Sequence, residues 1–355
     1  MLAVGPHEVA VQGTYLRRSV NEEGGFNEFD TTVTRAFRLP GKASLDRKAG
    51  DFGIEAAQNR AEDVRHQTAL LLAGFWYDWL TASALTRNDA EMVVNLERAL
   101  AAIKRRATLR DASDLDVDQA AAALALAQGQ GAQTRATAAE ARVKLAAQFP
   151  DLPLPFEAPD MVSPHDLPQN FEELRALVIA RSHEIGAARA DAERMSVTAR
   201  RAKAERTADP SFGFRLFSER GGTEKGLGVV ASIPLGGRHR LRAADEAVAM
   251  ASSARLEQGV VEREVQVMAD ADLSNASTRL VVWEQVHKAR IRAESMSARA
   301  GKGYALGAID LADLLFAERQ ANDARRAEIS ERAEAGRAIV KLEIDSHTIW
   351  APADE

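Results

Sequence analysis

The sequence contains no cysteine, which excludes a disulfide framework and any thiolate metal site. Aromatic residues make up only 5% of it, so the chain has little material for a bulky core and its packed layers must be thin. No run of 18 or more apolar residues occurs, which excludes a membrane-spanning helix. Positive charge is not in excess. The 46 basic and 52 acidic side chains leave a formal charge of −6, which argues against nucleic acid as a partner. The opening residues, MLAVGPHEVAVQG, lack the charged n-region and long apolar h-region of a secretory signal. A P-loop and a nucleophile elbow are also missing. The seven histidines, His7, His66, His165, His183, His239, His287 and His347, form no helical i,i+4 pair and no zinc spacing, and each reads as a surface or seam residue. The expectation is a non-enzyme with no cofactor and no resident metal.

What is present points to helices. The chain has 355 residues and is 46% hydrophobic, too apolar for disorder. Alanine supplies roughly a fifth of it, and with Glu, Arg and Leu gives the composition of long helices and coiled coils. The 11 prolines draw the map. Residues 41–149 and 235–351 have none, and proline costs about 3 kcal/mol inside a helix, so these stretches can hold long helices. FPDLPLPFEAPDMVSPHDLP (149–168) reads as an extended connector.

The chain also repeats itself. RLPGKASLDRKAG (38–50) matches IPLGGRHRLRAAD (233–245), RATLRDASDLDVDQAAA (106–122) matches GYALGAIDLADLLFAER (303–319), and VGPHEVAVQGTYLRR (4–18) matches ADPSFGFRLFSER (208–220). The pairs keep the same order at a spacing of roughly 200 residues, which indicates a duplication. The first repeat spans 1–148, with a strand pair in 7–39, a long helix over 43–105 and a shorter one over 114–148. A connector fills 149–169. The second repeat spans 170–342, with a helix over 170–206, a strand pair in 211–233, a long helix over 238–302 and a shorter one over 308–342. Residues 343–355 form a tail.

The strands are read from period-two alternation. Val9, Val11, Gly13 and Tyr15 share one face, as do Phe29, Thr31, Val33 and Phe37, then Phe212, Phe214 and Leu216, and Leu227, Val229, Ala231 and Ile233. SVNEEGGFNE and SERGGTEKG are glycine-rich, charged hairpin loops. Along the first long helix, Val64, Leu71, Phe75 and Trp79 fall on one stripe. At 1.5 Å per residue the long helices reach about 95 Å and the short ones about 50 Å, the arithmetic of a helical cylinder wall. The cluster Trp76, Tyr77 and Trp79 lies about 50 Å along its helix from the strands, so it reads as wall packing and not as a membrane belt. Four strands cannot close a barrel, and their edges need cover. Several chains contributing strands to one barrel is the economical solution. A small soluble sheet capping a coiled coil is the other.

With this layout, two repeats of hairpin, long helix, tip turn and short helix, the chain resembles the TolC family of outer-membrane efflux proteins over nearly its whole length. LPGKASLDR (39–47) and IPLGGRHRLR (233–242) are most similar to the CzcC-like branch linked to heavy-metal cation efflux, and YALGAIDLADLL (304–315) resembles the family's periplasmic tip. The resemblance implies a mostly α fold with a small β part. Long antiparallel helical hairpins would form a periplasmic tunnel, and four strands per chain would build a twelve-stranded transmembrane barrel in a homotrimer. It implies a place in the outer membrane, in contact with its lipid, and two protein partners: a periplasmic adaptor and an inner-membrane pump of the RND type. The function implied is a passive exit duct. The other reading is a soluble periplasmic adaptor or coiled-coil scaffold.

The resemblance also supplies site residues at the tip. Asp313 falls where the family places an aspartate facing the tunnel near its closed end, and Asp116 is its match in the first repeat. Phe316 stands where some members carry a second aspartate, and Ile309 where some carry an arginine. Tyr304 and Gly307 match the tip tyrosine and glycine, and Asp116 is the expected partner of Tyr304 in closing the tip. The alternative is that these acids, like Lys104, Arg105, Arg106, Asp111 and Asp114, are solvated helix-end charges that only complement the helix macrodipoles. In the family a helix precedes the first strand, as 170–206 precedes the third here. The first repeat opens almost directly on its strand, so a helix and a signal segment are expected upstream of Met1.

Overall fold

The computed structural model describes residues 8–165 and 171–349. The chain runs β1 (Val9–Val20), β2 (Gly24–Ala36), α1 (Lys42–Thr108), α2 (Asp114–Gln148), α3 (Phe171–Ala180), α4 (His183–Ala204), β3 (Ser211–Glu219), β4 (Glu224–Ser232), α5 (Arg238–Ala305) and α6 (Leu311–Asp345). The fold is mostly helical with a small antiparallel sheet. Among the described residues no helix is long and apolar enough to cross a membrane. The chain divides into two units, residues 1–63 with 183–265 and residues 64–182 with 266–355.

The first unit holds the sheet, in the order β1-β2-β3-β4, antiparallel throughout. Register sets its faces. Val11 pairs with Val33, Val33 with Phe214 and Phe214 with Val229, so one row across all four strands is apolar. The next row joins Gly13, Thr31, Leu216 and Leu227. The opposite face carries Gln12, Thr32 and Arg215 in one row and Thr14, Asp30 and Phe217 in another. Arg215 pairs with Asp30 there, and Phe217 lies over Gly226, where a Cβ would overlap its ring. Among the described residues nothing covers the apolar face: Val11 is 68% and Val229 78% exposed. Aromatic pairs stand at its two ends, Tyr15 with Phe29 at 5.1 Å and Phe37 with Phe212 at 5.7 Å. Phe29 and Phe37 are separated by about 26 Å of strand. Arg35 shares this face one row inside Phe37, close enough to that end for its guanidinium to extend past it.

Below the sheet, residues joining strand to helix are tied by ions. Lys42 is 1% exposed, and its ammonium donates to the Thr207 carbonyl at 2.7 Å and to Asp209 Oδ1 at 2.8 Å, with Glu205 at 3.2 Å. Asp209 also accepts the Leu39 amide at 2.9 Å, which fixes the turn after β2. Glu205 gathers Arg201 and Arg240, and Asp46 accepts from Arg201 and pairs with Arg38.

The second unit is helical. Trp79, Leu80 and Leu145 form a cluster with Ala158 and Met161 of the connector, so the aromatic group on α1 is packing. Val64 and Leu71 of the same stripe remain 65% and 44% exposed in the single chain. The buried carboxylates Asp89 and Glu328 are paired. Asp89 accepts from Arg326 and from Thr134 at 3.1 Å, and Glu328 accepts from Trp283 Nε1 at 3.0 Å and from Arg332.

One expectation needs correction. The stretch 170–206 is two helices, not one, interrupted at Arg181 and Ser182, and residue 170 lies outside the described residues. The Arg181 guanidinium donates to the carbonyls of Ser346 and His347, and serine is a favoured residue at a helix start. The strand edge at residue 7 and the tail beyond 349 also lie outside the described residues. The final helix runs to Asp345 because Leu342, Ile344 and Asp345 are all buried.

Candidate functional site

The tip is built twice by the same local rules. α5 ends in a Schellman turn: the Gly307 amide donates to the Tyr304 carbonyl at 3.0 Å and the Ala308 amide to Gly303 at 2.8 Å, with Gly307 at φ +72°. α1 ends in the same way, Arg110 donating to Ala107 at 2.9 Å and Asp111 to Arg106 at 2.8 Å, with Arg110 at φ +60°. The short helices then start on caps. The Asp310 carboxylate accepts the Asp313 amide at 2.8 Å, and the Ser113 hydroxyl accepts the Asp116 amide at 3.1 Å. Between the hairpins, Ile103 and Ala120 pack on Leu311 and Leu314.

The left-handed turn residue is glycine in one repeat and arginine in the other. A side chain at such a φ costs about 1 kcal/mol. Arg110→Gly is therefore expected to raise the unfolding free energy by about that amount, and Gly307→Ala to lower it similarly. Equilibrium unfolding of the two variants in detergent measures both, and equal shifts of one sign would contradict the assignment.

The four tip residues fare differently. Asp313 is exposed at the first turn of α6, its amide bound by the cap and its side chain facing solvent. Gly307 makes the turn. Tyr304 is half-buried, and its hydroxyl accepts from Arg106 Nη1 at 2.9 Å, with the guanidinium also 5.3 Å from the ring centroid. Asp116 is not the partner of Tyr304 within the chain. Its carboxylate accepts from the Ser113 amide and hydroxyl, both at 2.8 Å, in a capping box. Those two bonds hold its carboxyl below the usual range, assisted by the charge of Arg106. Phe316 is 62% exposed.

Arg106 is the residue whose link to Tyr304 the sequence reading missed. It grips Asp111 at 2.8 Å and Tyr304 at once, so it links the end of the first hairpin to that of the second. Its position at a helix end gave an adequate macrodipole explanation, and its partner is 198 residues away. Among the described residues no cluster of three metal-ligating side chains occurs.

No protein-family model matches the chain, and no curated protein matches its sequence. Its structure does have relatives. A membrane protein from Pseudomonas aeruginosa superposes with a TM-score of 0.77 at 16% identity, over 96% of this chain and 84% of that one. The outer membrane protein VceC of Vibrio cholerae gives 0.74 at 15%, over 96% and 86%. The CmeC outer membrane channel of Campylobacter jejuni gives 0.76 at 13%, over 98% and 78%. Over nearly its whole length, the chain has the fold of these membrane proteins, an outer membrane channel among them.

Proposed function

We propose that the chain is the outer-membrane channel of a tripartite efflux system, a passive exit duct without enzymatic activity. The observation that carries this reading is the sheet. It has one apolar face about 26 Å tall, bounded at each end by an aromatic pair, with a polar opposite face and two open edges. Outer-membrane barrels carry an outward apolar band of about 25 Å between aromatic girdles and a polar interior. A soluble sheet would instead bury its apolar face in a core. Three copies closing a twelve-stranded barrel would pair both edges and turn the apolar faces to lipid. The helices would then form the periplasmic tunnel, docked by an adaptor and fed by an inner-membrane pump. The resemblance of residues 39–47 and 233–242 to the CzcC-like branch supports heavy-metal cations as the exported substrate.

The test is conductance. Purified chain added to planar bilayers should produce discrete steps, and its absence from repeated insertions, with the protein soluble without detergent, favours the scaffold reading. The tip then sets the gate. Three exposed Asp313 carboxylates around one axis would concentrate cations. Asp313→Asn should lower cation selectivity, less so at high salt. Tyr304→Phe should leave selectivity alone and raise open probability, because each chain loses the Arg106 bond, worth about 1 kcal/mol. If Asp313→Asn leaves selectivity intact, the acid is only a helix-start residue.

A further inference from the structure

In the first unit, α4 and α5 enclose a groove of about 480 Å³ that the channel reading does not use. Arg200 and Lys203 reach it from α4 and Arg255 from α5, with Ser196, Ser252 and Leu256 beside them and no acidic side chain in the lining. None of the three cations has an ion-pair or side-chain hydrogen-bond partner among the described residues. The contrast with the neighbouring residue is direct. Arg201 turns to another face of α4 and is held by Asp46 and Glu205. The helix macrodipole accounts for Arg200 and Lys203, near the C-terminal end of α4. It does not account for Arg255, which lies deep inside the 68-residue α5. All three are exposed, and three like charges on one open groove, with no carboxylate in its lining, attract an anion.

The ligand chemistry follows from the donors. Cations on two different helices need an anion with acceptor oxygens pointing several ways. A carboxylate has two oxygens in one plane and satisfies one guanidinium fork. A tetrahedral phosphate presents three or more and suits arginine forks from two sides, with a lysine as a further point charge. The Ser196 hydroxyl adds a neutral donor, while Ser252 already donates to the Val248 carbonyl, and Leu256, 74% exposed, offers an apolar wall beside them. We propose that the α4/α5 groove binds a phosphate-bearing ligand, either free phosphate or the headgroup of an anionic lipid. The site does not depend on the chain forming a channel.

The test titrates the full chain, purified in an uncharged detergent, with inorganic phosphate and separately with a short-chain phosphatidic acid, followed by phosphorus NMR line width. Saturable binding is expected for at least one probe. Arg200→Gln with Arg255→Gln should weaken it at least about tenfold, and added salt should weaken it further. Arg47→Gln with Lys48→Gln, which removes two exposed cations of α1 outside the groove, should leave it unchanged. Preference for the lipid identifies a headgroup site, and equal affinity identifies free phosphate; both support the proposal. No saturable binding of either probe, or binding that survives the groove substitutions, overturns it.

Discussion

Replacing Val229 by arginine is expected to abolish assembly in the membrane. Val229 lies on the middle row of the apolar face, in line with Phe214, Val33 and Val11, and is 78% exposed in the single chain. A cation at the midplane of a lipid-facing strand costs about 2–4 kcal/mol, and a trimer would incur that three times. Thr32→Arg makes the same change of charge on β2, two strands away and on the polar face, and it should still assemble while altering conductance. Heat-resistant oligomer on a gel reads both variants. Equal tolerance of the two would mean that the faces do not meet lipid and lumen.

The second large effect belongs to Lys42. Lys42→Met keeps the length of the side chain and removes its charge. Asp209 and Glu205 then face each other across the joint with no ammonium between them, and the Thr207 carbonyl loses its donor. Removing one partner from a buried ion pair costs about 3–5 kcal/mol. The sign with pH can be worked out. Burial pushes the Asp209 carboxyl up, but Lys42 and the Leu39 amide outweigh it and hold it below the usual range. Glu205 is held down in the same sense by Arg201, Lys42 and Arg240 against its burial. A carboxyl lowered in the folded state contributes stability at pH values above its unfolded value, and that contribution is lost as pH falls through the folded one. The native chain should therefore lose stability below about pH 4, and Lys42→Met should lose less across that range. Unfolding measured at pH 7 and in acid decides it; a variant as stable as the native chain at pH 7 would remove the joint from the account.

The fold was legible where local chemistry and tertiary demand agree. The alternation in Phe212, Phe214 and Leu216 survives because β3 has two chemically different faces. Helix α2 begins where Ser113 can cap it and ends just before Pro150. Legibility fails where partners are remote. The break at Arg181 and Ser182 contains neither proline nor glycine, and Arg181 is held by carbonyls 165 and 166 residues further on. Lys42 sits in a motif read for its resemblance alone, and its counter-ions lie beyond 160 residues of intervening chain. At the tip, the repeat brought out Asp116 and Asp313 as equivalents. It could not show that a capping serine, close in sequence, takes the Asp116 carboxylate and leaves Tyr304 to Arg106. Local hydrogen bonds at a helix start form with little entropy cost, so they win over a link between hairpins.

In the proposed channel, the open four-stranded sheet is a third of a closed barrel. The mass of the folded protein in detergent, measured by light scattering with the detergent contribution subtracted, tests it most directly. Three protomers are expected, in a single species that loses its fold when detergent is withdrawn. A folded monomer that stays monodisperse without detergent would contradict it.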